Sequence, residues 1–90
     1  MNDESILRLR EVVLDGDASL ESRNAAIEAL AELRTAGAVD ALLELGGRRE
    51  EAEAILRAAG SALARLADDG LVSQWDVRDL ADVAGDAFYE

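Results

Sequence analysis

The amino-acid sequence predicts an all-α domain, and three observations carry that prediction. Ala, Leu, Glu and Arg dominate a chain that contains no proline, and these residues are strong helix formers. Apolar residues recur three and four apart in several windows, whereas no stretch sustains the alternation of a strand. Glycines and short Asp/Ser clusters fall between those windows, where helices end. Ninety residues read as a single domain, 1–90. A chain of this length buries only about 60–65% of the surface its unfolded form exposes, so the core is modest.

The first helix is expected over 4–14, with Ile6, Leu9 and Val13 on one face and Glu4, Arg8, Glu11 and Asp15 opposite. The turn "DGDAS" follows, offering Asp17 or Ser19 as N-cap. A second helix over 20–35 presents Leu20, Ile27, Leu30 and Leu33. Gly37 lies just past it, where a left-handed cap suits glycine. A short third helix over 38–45 points Val39, Leu42 and Leu43 inward, and "GG" at 46–47 stops it.

The fourth helix, over 50–67, has the widest apolar stripe: Ala52, Ile55, Leu56, Ala59, Leu63 and Leu66. Gly60 falls on that stripe. A mid-helix glycine costs about 1 kcal/mol relative to alanine, so its presence predicts close approach of a neighbouring backbone. Gly70 is assigned the same capping role as Gly37. A fifth helix over 74–88 would start from Ser73 as N-cap with Asp76 at N3. It would bury Val77, Leu80, Val83, Ala84, Ala87 and Phe88.

Two stretches are nearly the same. "AAIEALAEL" (25–33) and "AAGSALARL" (58–66) agree at six of nine positions at a spacing of 33. The same shift places Leu30 on Leu63, Leu33 on Leu66, Gly37 on Gly70 and Val39 on Val72. Helices 2 and 3 therefore pair with helices 4 and 5 as two copies of one unit, and helix 1 reads as the second helix of an incomplete unit. Such units bury their apolar faces by stacking.

"RNAAIEALAEL" (23–33) followed by "GAVDALLEL" (37–45) resembles the short bacterial HEAT-like repeats, of the kind also found in phycobilisome-lyase-type proteins. The second copy, "AILRAAGSALARL" with "GLVSQWDVRDL", departs in its last part, with Trp75 where the first copy has Leu42. The resemblance covers about 60 of the 90 residues. It implies a short α-α solenoid of about five helices that serves as a binding scaffold. The alternative is a compact four- or five-helix bundle. A match of "AGDAF" (84–88) to "AGSAL" (59–63) leaves the type of the last helix open.

Composition narrows the chemistry. There is no cysteine and no histidine, so no thiolate nucleophile, imidazole base or "HE" metal pair is present. Ser5, Ser19, Ser22, Ser61 and Ser73 have no histidine or lysine to activate them. "DGDASLE" (15–21) begins like a calcium loop, but Leu20 stands at position 6 and Ala26 at position 12, where glycine and glutamate are required. These features predict a non-enzyme that needs no metal or cofactor.

Twenty acids face nine basic residues, all arginine, for a net charge of −11. Such a field repels nucleic acid and anionic lipid and speeds encounter with basic partners. Arg48–Arg49 is the sole basic doublet, too little for nucleic acid. Arginine without lysine is the usage of a GC-rich bacterial genome. No apolar run approaches the roughly 20 residues that span a bilayer. The opening "MNDESILRLR" is acidic where a secretory signal is basic. A cytoplasmic location is expected.

What remains is a surface. In a HEAT-like stack the second helices of each unit, here 1, 3 and 5, line one face. Their outward acids are Glu4, Glu11 and Asp15, then Asp40 and Glu44, then Asp79, Asp82 and Asp86, with Arg8 as the one basic residue among them. Asp76 borders the last stripe, and Trp75 and Tyr89 project beside it. Aromatic anchors next to charge are typical of interfaces. The expectation is a monomer or weak homodimer that receives a basic protein on this face. Small, acidic, cysteine-free helical proteins resemble immunity proteins, which neutralise toxins such as nucleases. The alternative is an adaptor or assembly module that binds a regulatory partner, or itself, through apolar stack edges left open at Leu7, Val12 or Phe88. A bilin-lyase-like reading lacks the polar catalytic cluster it would need.

Overall fold

The first N–H groups of a helix lack intrahelical partners and need a cap. Ser19 and Thr35 supply it at the starts of two helices, their hydroxyl oxygens accepting the N–H of Ser22 at 3.1 Å and of Ala38 at 3.2 Å. The resulting helices are α1 (Asp3–Leu14), α2 (Leu20–Leu33), α3 (Ala36–Gly46), α4 (Glu53–Asp68) and α5 (Asp82–Tyr89). The computed structural model describes residues 3–72, 77–78 and 80–89, and among them there is no strand. The all-α expectation holds. No described helix is long and apolar enough to cross a membrane.

Helix α1 packs on α2 and α3, α2 also on α3 and α4, α3 on α4, and α4 on α5. The fold is a slab 28 × 27 × 16 Å with a radius of gyration of 11.5 Å, against about 12 Å for a compact chain of this length. Its thickness accommodates two helix layers at the usual separation of about 8–10 Å. The centre is aliphatic: Val13, Ile27, Leu30, Leu42, Leu45, Ile55, Leu63 and Leu66 are fully buried. Leu20 and Ala52, expected inside, are exposed. On the first turn of α2 the inward position belongs to Arg23, and Ala52 is the N-cap residue of α4.

The ends of the helices depart from the sequence reading in three places. Helix α2 ends on Arg34, which adopts the left-handed conformation (φ 52°, ψ 40°), while Gly37 lies inside α3. Because Thr35 caps α3, the chain must reverse one residue earlier, at Arg34; the strain of about 1–2 kcal/mol accompanies an ion pair from Arg34 to Asp69 at 3.3 Å that glycine could not form. At the end of α4 the expectation is met. Gly70 has φ 79°, its N–H donates to Ala67 O at 2.9 Å, and that of Leu71 donates to Leu66 O at 3.0 Å, the paired bonds of a Schellman cap. Gly37 and Gly70 thus do not play equivalent roles.

Helix α4 begins at Glu53 rather than near 50, since residues 48–51 form a turn closed by Glu51 N–H to Arg48 O at 3.2 Å. Helix α5 begins at Asp82 rather than 74. The N–H of Ala81 donates to Gly46 O, at the end of α3, at 2.8 Å, so it is not available to an intrahelical carbonyl. Before it the N–H of Leu80 donates to Val77 O at 3.1 Å, and Leu80 lies over Gly46, where an added Cβ would come within 2.6 Å of its side chain. The expected capping pair Ser73–Asp76 lies outside the described residues. The inward residues named for this helix keep their burial: Val77, Ala84 and Ala87 are buried and Leu80, Val83 and Phe88 half-buried.

Gly60 does what its position predicted. A Cβ there would overlap the backbone carbonyl oxygen of Ala84 and stand 2.9 Å from the Cβ of Ala87. Only glycine lets α5 lie this close to α4.

Candidate interaction surface

The charged residues of this chain are organised chiefly by its arginines. Arg23 is 3% exposed. Its Nε and Nη2 donate to the carbonyl oxygen of Val13 at 3.1 and 2.8 Å, and Nη2 donates to Glu51 Oε2 at 2.5 Å. Arg48 Nη1 donates to the carbonyl oxygen of Leu14 at 3.1 Å and stands 3.9 Å from the same Glu51 oxygen. Two arginines therefore satisfy the last carbonyls of α1, where cations are favoured by the helix dipole. One carboxylate, itself only 10% exposed, balances them. Of the adjacent acids Glu50 and Glu51, Glu50 is exposed, whereas Glu51 turns inward to the buried Arg23.

Elsewhere the arginines bridge helices. Arg10 of α1 donates from Nε and Nη2 to Glu44 of α3 at 3.1 and 2.6 Å. Arg65 of α4 reaches both carboxylate oxygens of Glu28 of α2 at 3.0 Å. Arg8–Glu4 and Arg57–Glu53 are i,i+4 pairs along single helices, at 3.7 and 2.8 Å. Such exposed pairs contribute about 0–1 kcal/mol each. Arg34 and Arg65, together with Glu32, Asp68 and Asp69, rim a hollow between the C-terminal ends of α2 and α4.

The acids expected to share one face are distributed as follows. Glu44 and Glu4 are engaged by Arg10 and Arg8, so Arg8 is not the one basic residue there. Asp15 closes its own turn, its Oδ1 accepting the N–H of Asp17 at 2.9 Å. Glu11 and Asp40 are exposed. Asp86 lies at a groove with Glu53 and Arg57, on the α4 side of α5. Asp82 is the first residue of α5, so the stripe Asp79–Asp82–Asp86 does not run along one helix. Trp75, Asp76 and Asp79 lie outside the described residues. Tyr89 is 66% exposed, its ring edge-on to that of Phe88 at 4.9 Å. Among the described residues no three acids converge closely enough to hold a metal ion.

Leu7 remains 58% exposed, whereas Val12 and Phe88 pack against the core. Sequence reasoning missed the bridging roles of Arg10, Arg23, Arg34, Arg48 and Arg65. The signal available was their number: with nine arginines among twenty acids, pairing between neighbouring helices is expected once the fold forms.

No protein-family model, curated protein or solved structure matches this chain.

Proposed function

We propose that this chain is a non-catalytic interaction module whose acidic surface receives a basic protein. The observation that supports it is the fate of the positive charge. Among the described residues Arg8, Arg10, Arg23, Arg34, Arg48, Arg57 and Arg65 are all in ion pairs, and between them they engage six acids. The net charge of −11 remains and projects a field that steers cationic partners. A toxin whose own substrate is anionic, such as a nuclease, has the complementary surface, and an immunity-type inhibitor of it is the reading this charge favours. Exposed Glu11, Asp40 and Asp86, with Tyr89 as an aromatic anchor, are the residues assigned to contact.

In this reading the helices form a short HEAT-like stack, with α2–α3 as one unit and α4–α5 as the next. The starts of α2 and α4 are 33 residues apart, and Leu30 and Leu63, equivalent under that shift, are both fully buried. The shift fails beyond that point, since α3 begins at Ala36 and α5 at Asp82.

The test is capture of partners on immobilised protein at low salt, with elution by rising salt, in parallel with an Asp40→Lys/Asp86→Lys variant. The expected result is a basic protein held by the parent, shed by salt, and not held by the variant. Retention that ignores both salt and the two substitutions would overturn the reading.

A further inference from the structure

Arg49 stands apart from the other arginines. It is exposed, and it is the one arginine among the described residues without an ion pair or hydrogen bond to another group. It stands at the lip of a notch of about 180 Å³ that is lined, among the described residues, also by Leu56, Ala81 and Val83. Leu56 and Ala81 belong to a small apolar cluster separate from the main core, roofed by Leu80 and Val83 between α4 and α5. A hollow of this size compares with the roughly 150 Å³ that accepts a benzene-sized group, so one aliphatic side chain fits. An apolar notch with a free guanidinium at its edge calls for an aliphatic side chain accompanied by a carboxylate.

The chain itself carries that combination. Leu7, 58% exposed, is the most exposed leucine among the described residues. Glu4 and Glu11 lie three residues before and four after it, on the same stripe of α1. Glu4 is engaged by Arg8, but Glu11 has no ion-pair partner among the described residues. The other exposed leucines lack this setting. Leu20 has Asn24 one turn on, and Leu71 lies outside any helix. Helix α1 packs on α2 and α3, whereas the notch belongs to α4, α5 and the loop before α4.

We propose that a second copy of this chain docks here: Leu7 of one copy enters the Leu56–Ala81–Val83 notch of the other, and Glu11 pairs with Arg49. This goes beyond the basic-partner reading and does not depend on it. The two patches differ, so the contact is reciprocal in a two-fold dimer or repeats head-to-tail in an open chain. The patches are small, and two copies of net charge −11 repel one another. The association is therefore weak.

Sedimentation equilibrium tests this at about 0.15 M salt, where the screening length of about 8 Å suppresses the overall repulsion but not a contact pair. Four proteins are compared: the parent, Arg49→Glu, Glu11→Arg, and the double charge swap. Both positions are exposed, and circular dichroism verifies that each variant is helical. The parent's average mass rises with concentration. Each single reversal places like charges together and weakens association about tenfold or more, and the double swap restores it to within about threefold. A parent that stays monomeric at 1 mM, or a double swap no better than the single reversals, overturns the proposal.

Discussion

Replacing Glu51 with alanine removes the carboxylate that balances Arg23 and leaves the guanidinium buried. Arg23 is 3% exposed and retains only the carbonyl oxygen of Val13 as a partner. Arg48, whose Nη1 stands 3.9 Å from the same carboxylate oxygen, would then be a second uncompensated cation close by. Breaking a buried pair by removing one member costs about 3–5 kcal/mol. A 90-residue domain has in total about 5–13 kcal/mol of stability. We expect Glu51→Ala to lose about 3 kcal/mol, a substantial fraction of that total.

The assay is urea unfolding followed by helical circular dichroism. With a slope of about 1 kcal/mol per molar urea, the midpoint should fall by about 3 M at unchanged slope. Glu53→Ala is the control: it deletes a carboxylate of the same chemistry, paired with Arg57 at 2.8 Å but with both side chains more than 60% exposed, and should cost under about 1 kcal/mol. Equal losses for the two variants would refute the idea that burial gives the Arg23–Glu51 pair its weight. A double Arg23→Met/Glu51→Leu variant should lose less than Glu51→Ala, because no charge is then left buried.

Further outcomes follow from the helix junctions. Gly60→Ala should gain about 1 kcal/mol of helix propensity yet destabilise the fold by about 1–3 kcal/mol, because its methyl group overlaps the Ala84 carbonyl; loss of α5 amide protection in hydrogen exchange would report it. Gly70→Ala, at φ 79°, should cost about 1–2 kcal/mol. Gly16→Ala, with nothing within 4 Å of an added Cβ and no positive φ, should stabilise by about 0.4–1 kcal/mol, both read from urea midpoints. Thr35→Ala removes the hydroxyl that accepts the Ala38 N–H and should lower stability by about 1 kcal/mol, with faster exchange of the first amides of α3.

The sequence disclosed what is local. Helices α1 to α4 were readable because a stripe such as Ile55–Ala59–Leu63–Leu66 has a period set by the helix itself, and Gly60 was readable because glycine in such a stripe needs a reason. The start of α5 was not, since it depends on an N–H of Ala81 that donates to Gly46, 35 residues earlier. Nor was the role of Glu51. In sequence it is one of two adjacent acids, and only Arg23, 28 residues away, distinguishes it from Glu50. The acidic face was overdrawn for the same reason: Glu44 looks free on its own helix and is bound by Arg10 from the next one. Periodicity locates a side chain on a helix, but its ionic partner is a property of how helices meet.

The doublet Arg48–Arg49 shows how the internal pairing and the proposed surfaces connect. Arg48 turns inward to the end of α1, at Leu14 O, while Arg49 turns outward to the notch beside Leu56. The turn that holds them opposite is closed by Glu51 N–H to Arg48 O, and Glu51 is in turn held by Arg23. The buried ion pair therefore sets both the seat of α1, which carries Leu7 and Glu11, and the direction of Arg49. Buried charge is a weak source of net stability, but in this packing it gives the inward Arg23 both of its partners, the Val13 carbonyl oxygen and Glu51. On this view the pair matters less for how tightly the helices pack than for where the surface residues stand once packed.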